Sequence, residues 1–363
     1  MRVLFLSFPY TSSHGGGERY TEQAVEGLLR TGHEATLVSS SNALLATFKA
    51  RGWKMTALWC GLEPMTPFAA LVFPLTALIA MPMLFLLLAW FRYARGTKAI
   101  VCLSFIEKLI ATPIARLFGM RVIWTEHLVA GRSLRLNPYR GWYVACSRHA
   151  TVVTVSEAAA SALIEVGVPK ASIRIIPPGT APEAVSPAPD QPVIGTISRL
   201  SPEKNVGLLL QAFALVAKEM PEAKLEIFGD GAERRDLEAL AKKLHIAEKT
   251  VFHGYVEHAS DHARFSVLAV PSARESFGVA ALEAMARGTA IVATRVGGLP
   301  EVITDVETGL LVPPNDAPAM AGALLKLLRD KALAARMGEA GRARAESLFT
   351  EEKMQRAWTA LFS

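Results

Sequence analysis

Residues 271–288 read PSARESFGVAALEAMARG. Ala280, Ala281, Leu282, Ala284, Met285 and Ala286 are good helix formers, and Gly288 is a natural stop, so the stretch predicts a short helix. Ser276 is placed to cap its start. Glu275 then falls in the loop just before the helix, and Glu283 about two turns inside it. A glycine turn at Phe277-Gly278 that opens a helix presents N–H groups to a phosphate or another anion. A carboxylate beside such a site accepts hydrogen bonds and cannot donate them, which suits the hydroxyls of a sugar or ribose.

Outward from this stretch the chain alternates strands and helices. PVIGTIS is a strand that ends at Arg199, and Lys204 follows in a loop before the helical VGLLLQAFALVAKE. Two cations near a helix start form a clamp suited to a diphosphate. KLEIFGDGAERRDLEALAKKL is strand, Gly-Asp-Gly turn and helix. TVFHGYVEHASDHARFSVLAVPS is a short strand, a loop at Gly254-Tyr255-Val256, a helix, and a strand leading to Glu275. AIVAT, the loop RVGGLPEVI and GLLVPP close the region. Both halves of the chain are therefore expected to be α/β with parallel sheets.

The N-terminal half opens as strand (RVLFLS), glycine loop (SSHGGGERY), helix and strand (HEATLVSS), a Rossmann-like beginning. Dinucleotide binding would want G-x-G-x-x-G, but position 20 is Tyr, and serines 39–41 stand where an acid is needed. MRVIWTEH delivers Glu126-His127 at the C-terminal end of a strand, the end that faces the ligand crevice in doubly wound sheets. Arg132, Arg135 and Arg140 lie in the loop GRSLRLNPYRGW, a candidate acceptor-side surface. APEAVSPAPDQP reads as an interdomain linker.

With 363 residues, two domains are the natural expectation. The boundaries read as 1–178 for an acceptor-side domain, 179–192 for the linker, 193–346 for a donor-binding domain, and 347–363 for a last helix that returns to the first domain. Cys60, Cys102 and Cys146 are widely spaced, odd in number and without metal-ligand spacing, as expected of reduced thiols in a cytoplasmic protein. MRVLFLSFPY enters a strand-like run without the small-residue cleavage site of a signal peptide. Charge is uneven. Residues 64–156 hold ten Lys or Arg against two acids, a net +8, within a chain of net +6. Such a field suits an anionic partner. The segment lacks the aromatic-interleaved motifs of nucleic-acid binders, so no nucleic-acid partner is expected.

Residues 68–91, FAALVFPLTALIAMPMLFLLLAWF, carry no charge over 24 positions. That length could span a bilayer. A span is disfavoured because the Rossmann-like elements on either side belong to one domain; a buried core helix is an alternative. The preferred reading is an interfacial element broken near Pro74 and Pro82. A few of Leu84, Phe85, Leu87, Leu88, Trp90 and Phe91 would enter the acyl boundary, with Arg92, Arg95 and Lys98 beside anionic headgroups.

The string Pro271-Ser272, Glu275-Ser276-Phe277-Gly278, Leu282-Glu283-Ala284-Met285-Ala286 and Gly288 resembles the E-x7-E motif of the retaining, nucleotide-sugar-dependent glycosyltransferases of family 4, which have the GT-B fold. Gly15-Gly16-Gly17-Glu18 and Gly32-His33-Glu34 resemble that family's N-terminal signature. IRIIPPGT resembles its P-N-G crossover turn, with Pro178 where Asn is usual, which puts a side-chain role there in doubt. The resemblance implies two Rossmann-like domains facing across a cleft that holds the active site. It implies that Gly16 and Gly17 let the backbone approach the donor, that His127 contacts the donor sugar, and that Tyr255 and Val256 border the base. Arg199 and Lys204 would neutralise the diphosphate. Glu275 would take hydroxyls of the sugar and Glu283 those of the ribose, while Phe277, Gly278 and Val279 present N–H groups. It further implies a nucleotide diphosphate-sugar as donor substrate, no metal or other cofactor, and a lipid-linked or other glycan acceptor at the inner face of a bacterial plasma membrane. A nucleotide-sugar-binding protein without turnover, or an epimerase or phosphorylase on the same fold, is the alternative.

Overall fold

Strands such as RVLFLS and AIVAT are apolar almost throughout, the pattern of strands covered on both faces in parallel sheets. The computed structural model describes residues 1–8, 15–60, 63–127, 132–183, 189, 191–256 and 265–363. The chain folds as two compact units: Met1–Gly179 with Glu351–Ser363, and Thr180–Thr350.

The first unit carries seven strands: β1 (Arg2–Ser7), β2 (Glu34–Ser39), β3 (Lys54–Ala57), β4 (Ala99–Cys102), β5 (Arg121–Glu126), β6 (Thr151–Thr154) and β7 (Ile173–Ile175). They form one sheet in the order β3-β2-β1-β4-β5-β6-β7, with every pairing parallel. The second unit carries β8 (Val193–Ile197), β9 (Lys224–Phe228), β10 (Thr250–Gly254), β11 (Val267–Val270), β12 (Ala290–Thr294) and β13 (Leu310–Val312), in the order β10-β9-β8-β11-β12-β13, also parallel. Each sheet is doubly wound, with a topological switch point where the order reverses: β1 beside β4, and β8 beside β11. Such sheets bind ligands outside the carboxyl ends of the strands at that point. Each unit has its own apolar core.

The Glu351–Ala360 helix packs on the Gly16–Arg30 helix of the first unit. A Cβ at Gly27 would lie 2.6 Å from Gln355 Cβ, so only glycine permits that approach. Trp358 is fully buried there, and its Nε1–H donates to Tyr20 Oη (3.0 Å).

The charge-free run is one continuous helix, Pro67–Ala89, followed by a π-helical turn at Trp90–Ala94. The expected breaks at Pro74 and Pro82 do not occur. Thr66 caps the start, its side chain accepting from Ala69 N–H (3.2 Å). Pro74 cannot donate to the Ala70 carbonyl, but the Tyr139 hydroxyl does so instead (2.9 Å), so the freed acceptor is satisfied. The expected membrane-facing set also needs correction. Leu84, Leu88 and Phe91 are buried in the core together with Phe73 and Ala80, whereas Phe85 and Trp90 are exposed. The opposite face is just as apolar. Leu71, Leu78, Ile79 and Leu86 are each at least 70% exposed. The helix is long and apolar enough to cross a membrane, with 22% of its most apolar window buried. Its flanking strands β3 and β4 nevertheless lie in one sheet, so here it is a strap on the side of the first unit.

Part of the glycine loop before Gly15, residues 257–264 in the expected helix after Val256, Gly131 in the arginine loop, and residues 184–188 and 190 of the expected linker lie outside the described residues.

Candidate active site

The second unit brings charge to its switch point. β8 ends at Ile197, and the chain turns through Arg199 and Lys204 before the Val206–Glu219 helix. β11 ends at Val270, and Glu275 follows in the next loop. The two loops meet. The Lys204 ammonium donates to Glu275 Oε2 (2.7 Å), and the Ser272 hydroxyl donates to the same oxygen (3.1 Å). The backbone joins them as well: the N–H groups of Ala273 and Arg274 donate to the Glu203 carbonyl (2.9 and 3.2 Å). Both charged side chains are largely buried, at 21% and 12% exposure. Arg199 stands apart from this pair. It is exposed and donates to Glu203 (3.2 Å).

Glycines hold these loops in place by close approach. A Cβ at Gly297 would lie 1.7 Å from the Glu275 carbonyl oxygen, and one at Gly298 would lie 2.4 Å from that of Ser276. Gly298 N–H donates to the Glu275 carbonyl (3.2 Å). On the other loop, a Cβ at Gly229 would lie 1.8 Å from the Ser198 carbonyl oxygen. Gly297 and Gly298 had no role in the reading of the sequence, and Ser272 entered it only as part of the motif string. The Gly-Gly pair after β12 was visible, but as a turn and not as a support for Glu275.

The helix after Glu275 is Val279–Ala286, with Gly278 and not Ser276 at its N-cap. Gly278 is in the left-handed region (φ 106), and a Cβ there would meet Leu299 Cδ2 at 2.6 Å, so the position demands glycine on both counts. Leu282 N–H closes the first turn onto the Gly278 carbonyl (3.0 Å), which leaves the N–H groups before it outside the helical ladder. Glu283 sits in the middle of this helix and is about nine-tenths buried. The Phe277 side chain is buried edge-on to Phe349 (5.5 Å), so only its backbone can serve a ligand. Tyr255 is exposed just beyond β10, with Val256 half-buried after it.

The first unit presents a different surface at the ends of β1 and β5. The Gly16–Arg30 helix starts behind Gly15 without a side-chain cap. His127, the residue after β5, lies against its first turn: a Cβ at Gly17 would be 3.4 Å from His127 Cδ2. The Tyr20 ring meets the imidazole edge-on (4.7 Å), and Tyr20 Oη–H donates to the Ile176 carbonyl (2.8 Å). Burial, helped by the nearby Lys108 cation, pulls the His127 pKa down to about 3, so the ring is neutral at pH 7. Its Nε2 is buried without a hydrogen-bond partner among the described residues. Lys108 is itself buried, donating to Glu126 Oε1 (2.6 Å) and the Thr125 carbonyl (2.7 Å), and the Tyr143 hydroxyl also donates to Glu126 (2.6 Å). Arg135 and Arg140 are engaged with Glu165 and the Val166 carbonyl, respectively. Among the described residues no group of three or more His, Cys, Asp or Glu is arranged to hold a metal ion. The three cysteines are free and buried.

A family model described as Glycosyltransferase Family 4 matches residues 14–184, and one described as Glycosyl transferases group 1 matches residues 180–344. The chain belongs to glycosyltransferase family 4. Its two parallel-sheet α/β domains are those of the GT-B fold. Over its full length it is similar to Anabaena HepE, solved in complex with UDP, with a TM-score of 0.83, coverage of 100% and 99% of the two chains, and 18% identity, a likeness of fold. It is 32% identical over 253 residues to the GDP-mannose-dependent alpha-(1-6)-phosphatidylinositol monomannoside mannosyltransferase of Mycolicibacterium smegmatis, covering 63% of this chain and 64% of that one. It is 38% identical over 159 residues to the N-acetyl-alpha-D-glucosaminyl L-malate synthase of Bacillus anthracis, covering 44% and 42%. The matches thus span between about two-fifths and two-thirds of these relatives' lengths.

Proposed function

We propose that this protein is a retaining glycosyltransferase that moves a sugar from a nucleoside diphosphate-sugar to a lipid-linked glycan acceptor at the inner face of a bacterial membrane. The observation that carries the reading is the Lys204–Glu275 pair, held by Ser272 and two loops at the switch point of the second sheet. Lys204 and the exposed Arg199 supply positive charge for a diphosphate. Glu275 Oε1, which makes no hydrogen bond to a described residue, is left for a sugar hydroxyl, and Glu283 serves the ribose. On donor binding the phosphate competes with Glu275 for Lys204, and the freed carboxylate oxygen takes a second hydroxyl. His127, neutral and with Nε2 unpartnered among the described residues, is the first unit's candidate group for a sugar hydroxyl.

In transfer, the bond between the anomeric carbon and the phosphate oxygen breaks, and the acceptor oxygen bonds to the same face of that carbon. The acceptor proton passes to the departing phosphate. Arg199 and Lys204 stabilise the charge that develops on the leaving diphosphate, so metal-independent turnover is expected. The apolar strap and the basic residues after it support an acceptor presented at a membrane. One relative is named for a phosphatidylinositol monomannoside and another for a glucosaminyl L-malate, and between a lipid and a small-molecule acceptor the strap favours lipid.

The test is a thermal-shift screen with UDP-, GDP- and ADP-sugars, followed by release of nucleoside diphosphate with EDTA present. A specific donor at a hundredfold excess over its dissociation constant adds about 2.7 kcal/mol of stability. Glu275→Gln should lower turnover more than free-nucleotide affinity, and Glu283→Gln should weaken the nucleotide itself. Binding without turnover by the wild type would leave a nucleotide-sugar-binding protein, and the reverse pattern in the two variants would exchange the two carboxylate roles.

A further inference from the structure

A cleft of about 270 Å³ opens at the amino ends of β5 and β6, the end opposite His127. Arg116, Arg121, Arg148 and His149 line it, and no carboxylate side chain does so among the described residues. Arg121 donates to the Leu361 carbonyl and to a Ser363 oxygen (3.4 Å), which anchors the end of the chain with part of its guanidinium. Arg116 and Arg148 are exposed and form no ion pair among the described residues. Gathered cations without acids repel one another, and an anion that enters relieves the repulsion. The cleft is open and below the usual size of a small-molecule pocket, which suits a single phosphoryl group.

The apolar strap packs on the helix that carries Arg116. Phe118, two residues after Arg116, packs edge-on against Phe85 (5.1 Å) and Tyr93 (5.8 Å) of the strap. Arg92 Nε–H donates to the Phe118 carbonyl (3.0 Å). Leu117 is exposed, as are Phe85, Leu86, Trp90 and Tyr93 of the strap. The end of the helix Phe105–Leu117 therefore lines the cleft through Arg116, and the residue that follows it, Phe118, meets the apolar strap. A surface that enters the acyl boundary and meets anionic headgroups has this composition.

We propose that the Arg116–Arg121–Arg148–His149 cleft is a binding site for the phosphoryl headgroup of an anionic phospholipid, engaged when the strap lies in the bilayer surface. The proposal rests on the membrane-surface reading above, not on the donor site.

The experiment compares flotation with phosphatidylcholine vesicles and with phosphatidylcholine–phosphatidylglycerol vesicles. The proteins are the wild type, Arg116→Gln/Arg148→Gln, and a charge-matched control, Lys242→Gln/Lys243→Gln, on the second unit. The wild type should bind both vesicles and prefer the anionic one. The arginine pair should cost about thirtyfold in affinity for anionic vesicles, from about 1 kcal/mol for each cation at such a surface. It should leave binding to neutral vesicles, nucleotide binding and donor hydrolysis unchanged. The control pair, on the unit without the strap, should lose less than about threefold. Equal losses in the two pairs, or none in the arginine pair, would overturn the headgroup site while leaving the membrane reading in place; a wild type that binds neither vesicle would overturn both. A thermal shift with inorganic phosphate at fixed ionic strength, present in the wild type and absent in the arginine pair, would assign the cleft to free phosphate and overturn the lipid assignment. Nucleotide titration of the same variants tests the donor reading separately.

Discussion

The two units are built on one plan and place opposite chemistry at the ends of their strands. In the second, a cation and a carboxylate meet across the switch point, pinned by glycines that allow backbone to touch backbone. In the first, a neutral imidazole rests on a bare helix start, and the charges lie behind it in the buried Lys108–Glu126 pair. The contrast shows that doubly wound topology fixes where a ligand can sit but not how it is held. The second unit can grip a diphosphate by charge. The first can offer backbone N–H groups and one uncharged hydrogen-bonding ring, and its surface carries an apolar strap.

The sharpest way to break this contrast is to disturb the glycine support. Gly297 has φ 51 and no room for a Cβ beside the Glu275 carbonyl. Gly297→Val should cost more than about 3 kcal/mol at that loop, combining left-handed strain with a backbone clash. Turnover should fall by more than about a hundredfold while the first unit stays folded. Circular dichroism with a nucleotide release assay checks this, and a variant with normal turnover would mean the loop does not position Glu275.

Next in size is the division of the strap into two faces. Leu84→Ser with Leu88→Ser places hydroxyls in the first unit's core and should cost at least about 3 kcal/mol, enough to unfold a marginal domain. Leu71→Ser with Leu78→Ser changes only exposed positions and should stay within about 0.5 kcal/mol of wild type, while vesicle binding falls. Thermal melts of the two pairs decide it, and equal destabilisation would mean that both faces are packed.

The smallest effect concerns pH and separates two buried groups of the first unit. Burial pulls His127 down to about 3, so between that value and about 6.5 the unfolded chain takes up a proton that the folded chain does not, and stability is lost as pH falls. Burial pushes Glu107 up to about 7, against backbone hydrogen bonds that favour its charge, so the folded chain holds a proton that the unfolded chain releases above about 4.5, and stability is lost as pH rises. Between about pH 5 and 6.5 the two slopes oppose one another. Relative to wild type, His127→Asn should become less stable as pH rises through this window, and Glu107→Gln more stable, each by about 1–2 kcal/mol. Denaturant melts at the two ends of the window measure both, and parallel slopes in the two variants would remove one of the buried groups from the account.

The strands, the double winding of each half and the ends of β5, β8 and β11 were legible because each rests on a local pattern: an apolar run, a glycine turn, a following helix. Lys204 and Glu275 were legible individually, but their pairing joins loops 71 residues apart. The glycines that hold Glu275 come from a third loop, where Gly-Gly announces a turn and nothing about what it touches. Ser276 looked like the better helix cap by propensity, yet the close approach of Leu299 to Gly278 overrides that preference. The strap was legible as a long apolar element and illegible in its faces, since a helix apolar all round carries no periodicity to say which side is inward. Its continuity through Pro74 depends on a hydroxyl from Tyr139, whose ring lies 69 residues along the chain from the carbonyl it serves.

The account turns most directly on the diphosphate grip, and titration calorimetry of the folded Lys204→Ala and Arg199→Ala variants with the nucleoside diphosphate that binds the wild type measures it. Loss of a charge-assisted hydrogen bond predicts weakening by about 1.5–3 kcal/mol in each, roughly ten- to over a hundredfold. Lys204→Ala should lose more, because its pairing with Glu275 places it in the switch-point loop, whereas Arg199 stands at the exposed rim. Unchanged affinity in both variants would contradict the placement of the donor diphosphate at this site.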